Sequence, residues 1–570
     1  MGLGSLEVEL LSQILEYVDE TSPRTTKSVS LANKHIYATA RRVQFRRQSV
    51  DLTDPWKAES RLSAYFTAPD ALRSIRQLTV VGHKHSDLPD EVSQIKTTYE
   101  SLARLIQDLA NLRCIVWRYA GPIPLAVLDA IHQYHLRASL MIYNWSRAAD
   151  NAEHNDPAEL ALANSPALTC LQASIWNGGG GSHPDLREAA CKRIIANAPN
   201  LQYASVTRGR SGCVIRMLST TEQADLLKKE ESFYTHKQPN ASLKVLTLDG
   251  YGLSRQTLDQ WGRFLDFSKL DSLKCSRGFV PDKSYFELAP GLLSSLKHVS
   301  LNFTYNNDPE IAAAAENYLA TCPPLETISL WSWMNVIALS TIMKHGNTLK
   351  TLQLHERESA NLDVPRGLLT AADVADIRRS CPLLKDLTMD IDREAEEWKE
   401  EVGNRAIYSE LGLFGPQLDK IQLYFSLGIA AQIAGQTWRS GPSSSALQDA
   451  RFLSDSESES DQEGPQAKRS KQDPGLSARE KALLPMPSPR AISDHVRSIW
   501  TTIFGRRRTG ERALDVKIGE WERKMGTGYP ADWVVWEQSN RSYIKLRPHE
   551  RDDMLDRVVL TCQGGLQGKI

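Results

Sequence analysis

Apolar residues recur along this chain in one fixed phrase: an opening residue, two of any kind, a second apolar residue, one more of any kind, a third. Leu243, Leu246 and Leu248 spell it, followed by Leu296, Val299 and Leu301, then Leu325, Ile328 and Leu330. Leu349, Leu352 and Leu354 continue it, with Leu384, Leu387 and Met389, and Leu418, Ile421 and Leu423. The last two positions of each phrase alternate with polar residues, the period of a strand with one buried face. Weaker copies predict strands at 75–80, 112–117, 138–142, 168–173, 201–206 and 270–275. Helical spacing falls between them, at 91–109, 185–198, 255–267 and 311–321. A strand, a turn and a helix returning every ~24 to 35 residues is the signature of a stacked repeat array. The fold class expected is therefore α/β, a solenoid of leucine-rich-repeat type with parallel strands on the concave face and helices on the convex face. By alternation, Lys244, Thr247, Lys297, Ser300, Thr327 and Ser329 are expected to line the concave side.

The first forty residues follow a different period. Leu6, Leu10, Ile14 and Val18 recur at steps of four, and Leu11 and Leu15 widen the stripe, which predicts an amphipathic helix over 5–18. Ser5 is placed to cap it, and Glu7 and Glu9 suit the positive end of its dipole. Ser22-Pro23 marks a second helical start, with Val29, Ala32, Ile36 and Ala40 on its inner face. Helices this short bury too little surface to stand alone, so their apolar stripes call for a partner. That partner is either another chain or the end of the solenoid itself, which needs a terminal cap.

Composition alters this picture only in part. The 68 basic residues balance 69 acidic ones, and the net charge of −1 favours neither nucleic acid nor an anionic membrane as principal partner. The 8 cysteines form no CxxC pair or Cys/His cluster at metal-ligand spacing, so no metal or cofactor is expected. Cys322 and Cys381 precede prolines just before an opening leucine, and Ala198 holds the matching place, which suits small buried corner residues. No targeting segment is read at the start, and no apolar run approaches membrane-spanning length.

The repeat pattern stops at about residue 441. Through about 490 the chain is rich in serine, proline and charge, a composition that builds no core and predicts disorder. Helical and strand patterns resume at 495–504, 513–518 and 533–536. The expected organisation is thus helices over 1–47, solenoid over 48–440, a disordered insertion over 441–490 and a continuation of the solenoid over 491–570. A separate small C-terminal domain is the alternative. Within the insertion, Ser454, Ser456, Ser458 and Ser460 each have an acidic residue three positions on, the pattern of an acidophilic kinase substrate. Lys468, Arg469 and Lys471 make a short basic cluster of the kind that directs nuclear import.

The sequence Leu6-Glu-Val-Glu9-Leu-Leu-Ser-Gln-Ile14-Leu-Glu-Tyr-Val18 resembles the opening of an F-box. Val29-Ser-Leu-Ala-Asn-Lys34-His-Ile-Tyr37-Ala resembles its second half. Glu7 stands where the family usually carries proline, and Thr25 or Thr26 where it carries leucine. With the repeats behind it, the chain resembles a fungal-type F-box protein with divergent leucine-rich repeats. That resemblance implies a substrate receptor of an SCF-type cullin–RING ubiquitin ligase, cytoplasmic, nuclear or both. The F-box would dock on the Skp adaptor, and through it on a cullin scaffold, while the repeats hold an unidentified protein substrate. The adaptor-binding residues implied are Leu6, Leu10, Leu11, Ile14, Leu15, Val29, Leu31 and Ile36. A repeat scaffold that binds proteins without any ligase is the second reading.

No catalytic set emerges, and the chain is expected to be non-catalytic. Gly178–Gly181 lacks the Gly-Lys-Ser/Thr of a phosphate loop and reads as a connecting loop. Asp249, Asp390 and Asp392 read as solvated turn residues behind strands. Lys34, Arg41, Arg42, Arg46 and Arg47 form a basic cluster on an exposed helix face, with an acidic partner surface as the alternative. Trp331 and Trp333, and Trp521, Trp533 and Trp536 with Arg541, Arg547 and Arg551, are aromatic and basic groups of the kind found at binding hot spots.

Overall fold

The structure, a computed structural model, describes residues 6–21, 23–31, 33–83, 89–147, 156–177, 187–210, 240, 242–274, 281–303, 308–356, 367–391, 402–425, 498–503, 513–518, 542–546 and 559–560. The chain forms two compact units, residues 1–277 with 291–296 and residues 278–290 with 297–570. The acidic serine run, the basic cluster at 468–471, the glycine run at 178–181, Asp392 and the tryptophans beyond 520 lie outside the described residues.

In the first unit, helices α1 (Val8–Thr21), α2 (Pro23–Val29) and α3 (Lys34–Phe45) precede eight strands. These are β1 (Arg47–Asp51), β2 (Gln77–Gly82), β3 (Cys114–Tyr119), β4 (Ser139–Trp145), β5 (Leu168–Asn177), β6 (Tyr203–Arg210), β7 (Val245–Asp249) and β8 (Ser272–Lys274). Each pairs in parallel with the next. The second unit repeats the arrangement with β9 (His298–Asn302), β10 (Thr327–Trp331), β11 (Thr351–His355), β12 (Asp386–Ile391), β13 (Lys420–Phe425) and β14 (Ala513–Ile518), again parallel and in sequence order. Two antiparallel strands, β15 (Ser542–Leu546) and β16 (Val559–Leu560), follow β14. Both units are thus α/β stacks of leucine-rich-repeat type, as the repeated phrase predicts. The strand expected at 513–518 is β14, laid beside β13 in register.

The local chemistry of each repeat is regular. The second and third phrase residues, such as Ile328 and Leu330 or Leu352 and Leu354, are buried on the helix-bearing face, at about 1.5–3 kcal/mol for each large side chain. The opening leucine is buried as well but stands two residues before the strand, as Leu325 and Leu349 do. Strands therefore begin later than the phrase: β2 starts at Gln77 rather than residue 75, and β3 at Cys114 rather than 112. The residue after the opening leucine offers its carbonyl to two amides of the next repeat. Lys297 O accepts from Glu326 N at 2.8 Å and Thr327 N at 3.0 Å, and Lys350 O from Lys385 N at 2.8 Å and Asp386 N at 3.0 Å. Consequently Lys244 and Lys297 lie outside their strands, with the alternation of the buried face, and are not part of the outward sheet face expected of them. Thr247, Ser300, Thr327 and Ser329 are on it.

Several helices begin where an acceptor side chain precedes proline or a polar first turn. Asp54, Asp156 and Asp308 accept from the first-turn amides of Pro55–Phe66, Pro157–Ala163 and Pro309–Thr321. Asn33 does the same for α3, taking the Ile36 amide at 2.8 Å. That cap divides the helix expected to run through 22–40 into α2 and α3. The helix expected over 255–267 ends at Gly262, and a 3-10 turn follows at Phe267–Lys269. At the corners, Ala198 and Cys381 are buried and Cys322 is half-buried. Burial pushes the Cys170, Cys322 and Cys381 thiols up to about 11, away from the thiolate form that nucleophilic chemistry needs.

Candidate protein-binding surfaces

On α1, residues follow one another at 100° steps, and the apolar ones occupy two adjacent stripes. Leu11 and Leu15, at i and i+4, face inward, and Val18, at i+7, is half-buried. Leu11 and Leu15 form the core of the helical unit with Ile36, Ala40 and Val43 of α3, and Leu6 and Val29 pack against it. Leu10, Ile14 and Tyr17, at the same spacing one residue earlier, form the second stripe. Leu10 is 48% and Tyr17 61% exposed, and Ile14 is half-buried. On the neighbouring elements Leu31 is 80% exposed, and Val8 and Tyr37 are exposed too. Five of the thirteen exposed large apolar side chains among the described residues therefore lie between positions 8 and 37.

The eight residues singled out from sequence divide accordingly. Leu11, Leu15 and Ile36 are core, Leu6 and Val29 support it, and Leu10, Leu31 and part of Ile14 remain available to another chain. Val8, Tyr17 and Tyr37 join that exposed set. Sequence reasoning passed over them because a single helical stripe does not say which of its edges turns inward.

On the face of the second unit's sheet opposite the helices runs a largely buried row, with His355 2%, Asp390 5% and Tyr424 4% exposed. Strand register aligns Asn302 with Trp331, Trp331 with His355, and Asp390 with Tyr424. Asp390 also meets His355, its Oδ1 lying 2.7 Å from His355 Nδ1, so the row continues across β9 to β13. The His355 ring sits edge-on to Trp331 at 4.5 Å between centroids and lies tilted against Tyr424 at 4.2 Å. Glu356 N donates to Asp390 Oδ2 at 2.5 Å, and Glu356 Oε1 accepts from Trp333 N and Met334 N, both at 2.6 Å. Ser332, at φ 52°, makes the turn that brings those two amides round.

Asp390 is therefore a buried strand residue, 5% exposed, and not the solvated turn residue its position after Met389 suggested. Asp249 ends β7 and is half-buried, and Gly250 beyond it has φ 79°, where a Cβ would stand 2.3 Å from Arg208 O. Trp331 is half-buried and Trp333 is buried. In the basic cluster, Lys34, Arg41 and Arg42 are exposed on α3, Arg46 pairs with Glu16 of α1, and Arg47 opens β1.

Among the described residues no group of three or more His, Cys, Asp or Glu is arranged to hold a metal ion, and no helix is long and apolar enough to cross a membrane. His132 Nε2 lies 2.7 Å from Ser165 Oγ, the spacing of a hydrolytic pair, but Ser165 is wholly buried and out of a substrate's reach. Burial lowers the His132 pKa, with Asp129 opposing.

No family model matches the chain, and no curated protein matches it. Among solved structures it is similar to that of the Rad7 and Elc1 complex in yeast, at 13% sequence identity and a TM-score of 0.30, over 74% of this chain and 93% of that one.

Proposed function

We propose that this chain is a non-catalytic substrate receptor of a cullin–RING ubiquitin ligase, docking on a Skp-type adaptor through α1–α3 and holding a protein substrate on its repeats. The observation that carries the reading is the doubled apolar face of α1, of which one stripe serves the chain's own core and the other, Leu10, Ile14 and Tyr17, is left outward beside Leu31. Apolar groups this concentrated on so small a helical unit are costly to leave in water and are accounted for by burial against a partner helix. The F-box resemblance of the same residues names the partner. The outward sheet face of the repeats is the second docking surface, and the site of action proposed is the cytoplasm or nucleus.

The second reading, a repeat scaffold without a ligase, draws on Glu7, an exposed acid where the family has proline. Co-purification with the Skp adaptor from the same host separates the two. Leu10→Asp with Leu31→Asp alters only exposed positions, so the chain stays folded, while two charges would have to be buried at the docked interface. Capture of adaptor by wild type and its loss in this variant supports the receptor. Failure of wild type to capture it leaves the scaffold.

A further inference from the structure

A parallel sheet built in chain order leaves its first strand with one open side. In the first unit that strand is β1, and among the described residues only β2 pairs with it. Gln77 N donates to Arg46 O and Leu52 N to Val81 O, both at 2.8 Å, so the even-numbered residues of β1 turn their main-chain groups to β2. The odd-numbered residues, Arg47, Ser49 and Asp51, turn theirs to the opposite edge. Their side chains lie on the sheet face away from the core, since Val50 is buried while Arg47 and Asp51 are exposed and Ser49 is half-buried.

Sheet edges are commonly blunted by proline, a bulge or lysine. β1 has none of these, and its register with β2 runs unbroken from Arg47 to Asp51. The helical unit is tied to the corner before the strand, where Arg46 pairs with Glu16 and its Nη2 donates to Ser12 Oγ at 3.1 Å. The strand carries one charge of each sign, placed symmetrically about Ser49. Asp51 Oδ1 accepts from Thr53 N at 2.9 Å. Hydrogen bonding from Thr53 lowers the Asp51 pKa, with His83 and Arg61 adding to the shift and burial opposing it, so the carboxylate is ionised at neutral pH.

We propose that two copies of the chain join edge to edge through β1, antiparallel and two-fold about Ser49, into one continuous sheet. In that register Ser49 faces Ser49 of the second copy, and the pair exchanges both N–H···O bonds. Arg47 of each copy stands across from Asp51 of the other on the same face, the opposite-charge pairing that stabilises neighbouring strands. Parallel pairing in register would set arginine on arginine and aspartate on aspartate, so the charges reject it. An antiparallel slip of two residues loses both charge pairs. The self-complementary charges thus select a second copy as the occupant, and an isologous contact closes at the dimer. So short a strand buries little surface, and a weak, micromolar dimer is expected. The inference does not rest on the receptor reading.

The test is sedimentation velocity on the full chain from about 1 to 100 µM, the range that brackets such an affinity. Wild type is expected to pass from monomer to dimer across it. Ser49→Pro removes an outward N–H and no bond to β2, and should weaken the dimer at least ~tenfold. Arg47→Asp and Asp51→Arg each set like charges across the axis twice per dimer and should weaken it at least ~tenfold, while Arg47→Asp/Asp51→Arg together should restore it to within ~threefold. Arg405→Asp, a reversal at an exposed arginine of the second unit, should leave it unchanged. Circular dichroism checks the fold of each variant, and if Ser49→Pro unfolds, the charge swap alone decides. A wild type that stays monomeric throughout, leaving the edge to a strand of another protein or to none, overturns the proposal. A dimer that a folded Ser49→Pro leaves intact, or that the double swap fails to restore, overturns it as well.

Discussion

His345 joins two repeats through a ring that works only when neutral. Its Nδ1 is 3.3 Å from the Leu325 amide, which can only donate, so Nδ1 must accept. The proton then sits on Nε2, which is 2.9 Å from the Leu319 carbonyl and donates to it. Both partners are backbone groups of buried residues, and the imidazole is itself buried. His345→Ala leaves an N–H and a C=O inside the unit without partners, at about 1–3 kcal/mol each. The expected loss is about 2–6 kcal/mol. Burial, with a smaller push from Lys344, lowers the His345 pKa, while its bond to Leu319 opposes the shift. The unfolded histidine, with a pKa near 6.5, therefore binds a proton that the folded one resists. Unfolding takes up protons below about pH 6.5, so stability falls as the pH drops through that value toward the folded pKa. Glutamine has a donor and an acceptor but does not titrate, so His345→Gln should cost less than alanine and lose less stability on acidification. Urea unfolding followed by circular dichroism at pH 7 and pH 5 measures both effects. The reasoning is refuted if the alanine variant loses under about 1 kcal/mol, or if wild type and His345→Gln lose equal stability between the two pH values.

Three further outcomes follow from other buried groups. Thr26 is fully buried with no hydrogen-bond partner for its hydroxyl among the described residues, so Thr26→Val should stabilise the helical unit by about 1 kcal/mol, read as a raised urea midpoint; a lowered midpoint contradicts it. Glu159 lies between Arg147, at 2.6 Å, and Arg193, at 3.0 Å, all nearly sealed from solvent. Glu159→Ala removes the carboxylate that both guanidinium groups share and should cost about 3–5 kcal/mol in the same assay, with a loss under about 1 kcal/mol telling against it. The Cys170, Cys322 and Cys381 thiols, pushed up to about 11 by burial, should resist iodoacetamide at pH 8 in the folded chain and react fully in urea. Rapid labelling of any of the three without denaturant, located by mass spectrometry, would refute that.

Much of the array was readable because its phrase tracks burial. Leu325, Ile328 and Leu330 are all inside, and so are their counterparts in each repeat. The starts of β2, β3, β6 and β8 lie two residues later than the phrase, because the opening residue is as buried as the strand residues it precedes, and burial alone does not mark where pairing begins. The polar row was missed for a related reason. Trp331, His355, Asp390 and Tyr424 each stand six residues after an opening leucine. Aligning the repeats on that leucine places them in one line, but taken singly they have the composition of a loop. On α1 the helical period was plain, while the choice of inward stripe depended on the position of α3, which no local period encodes. The division into two units leaves no mark on the repeated phrase.

The central claim is that the outward stripe of α1 is an adaptor interface. Its most direct test is the affinity of purified Skp adaptor for the full chain, measured by titration calorimetry for wild type, for Leu10→Asp/Leu31→Asp, and for Leu136→Asp. Leu136 is an equally exposed leucine in the repeats and serves as the control. Each docked leucine contributes about 1.5–3 kcal/mol of apolar burial, so the double variant should bind at least ~100-fold more weakly, with Leu136→Asp unchanged. Equal affinity for wild type and the double variant would contradict the interface, and absence of binding by wild type would contradict the receptor.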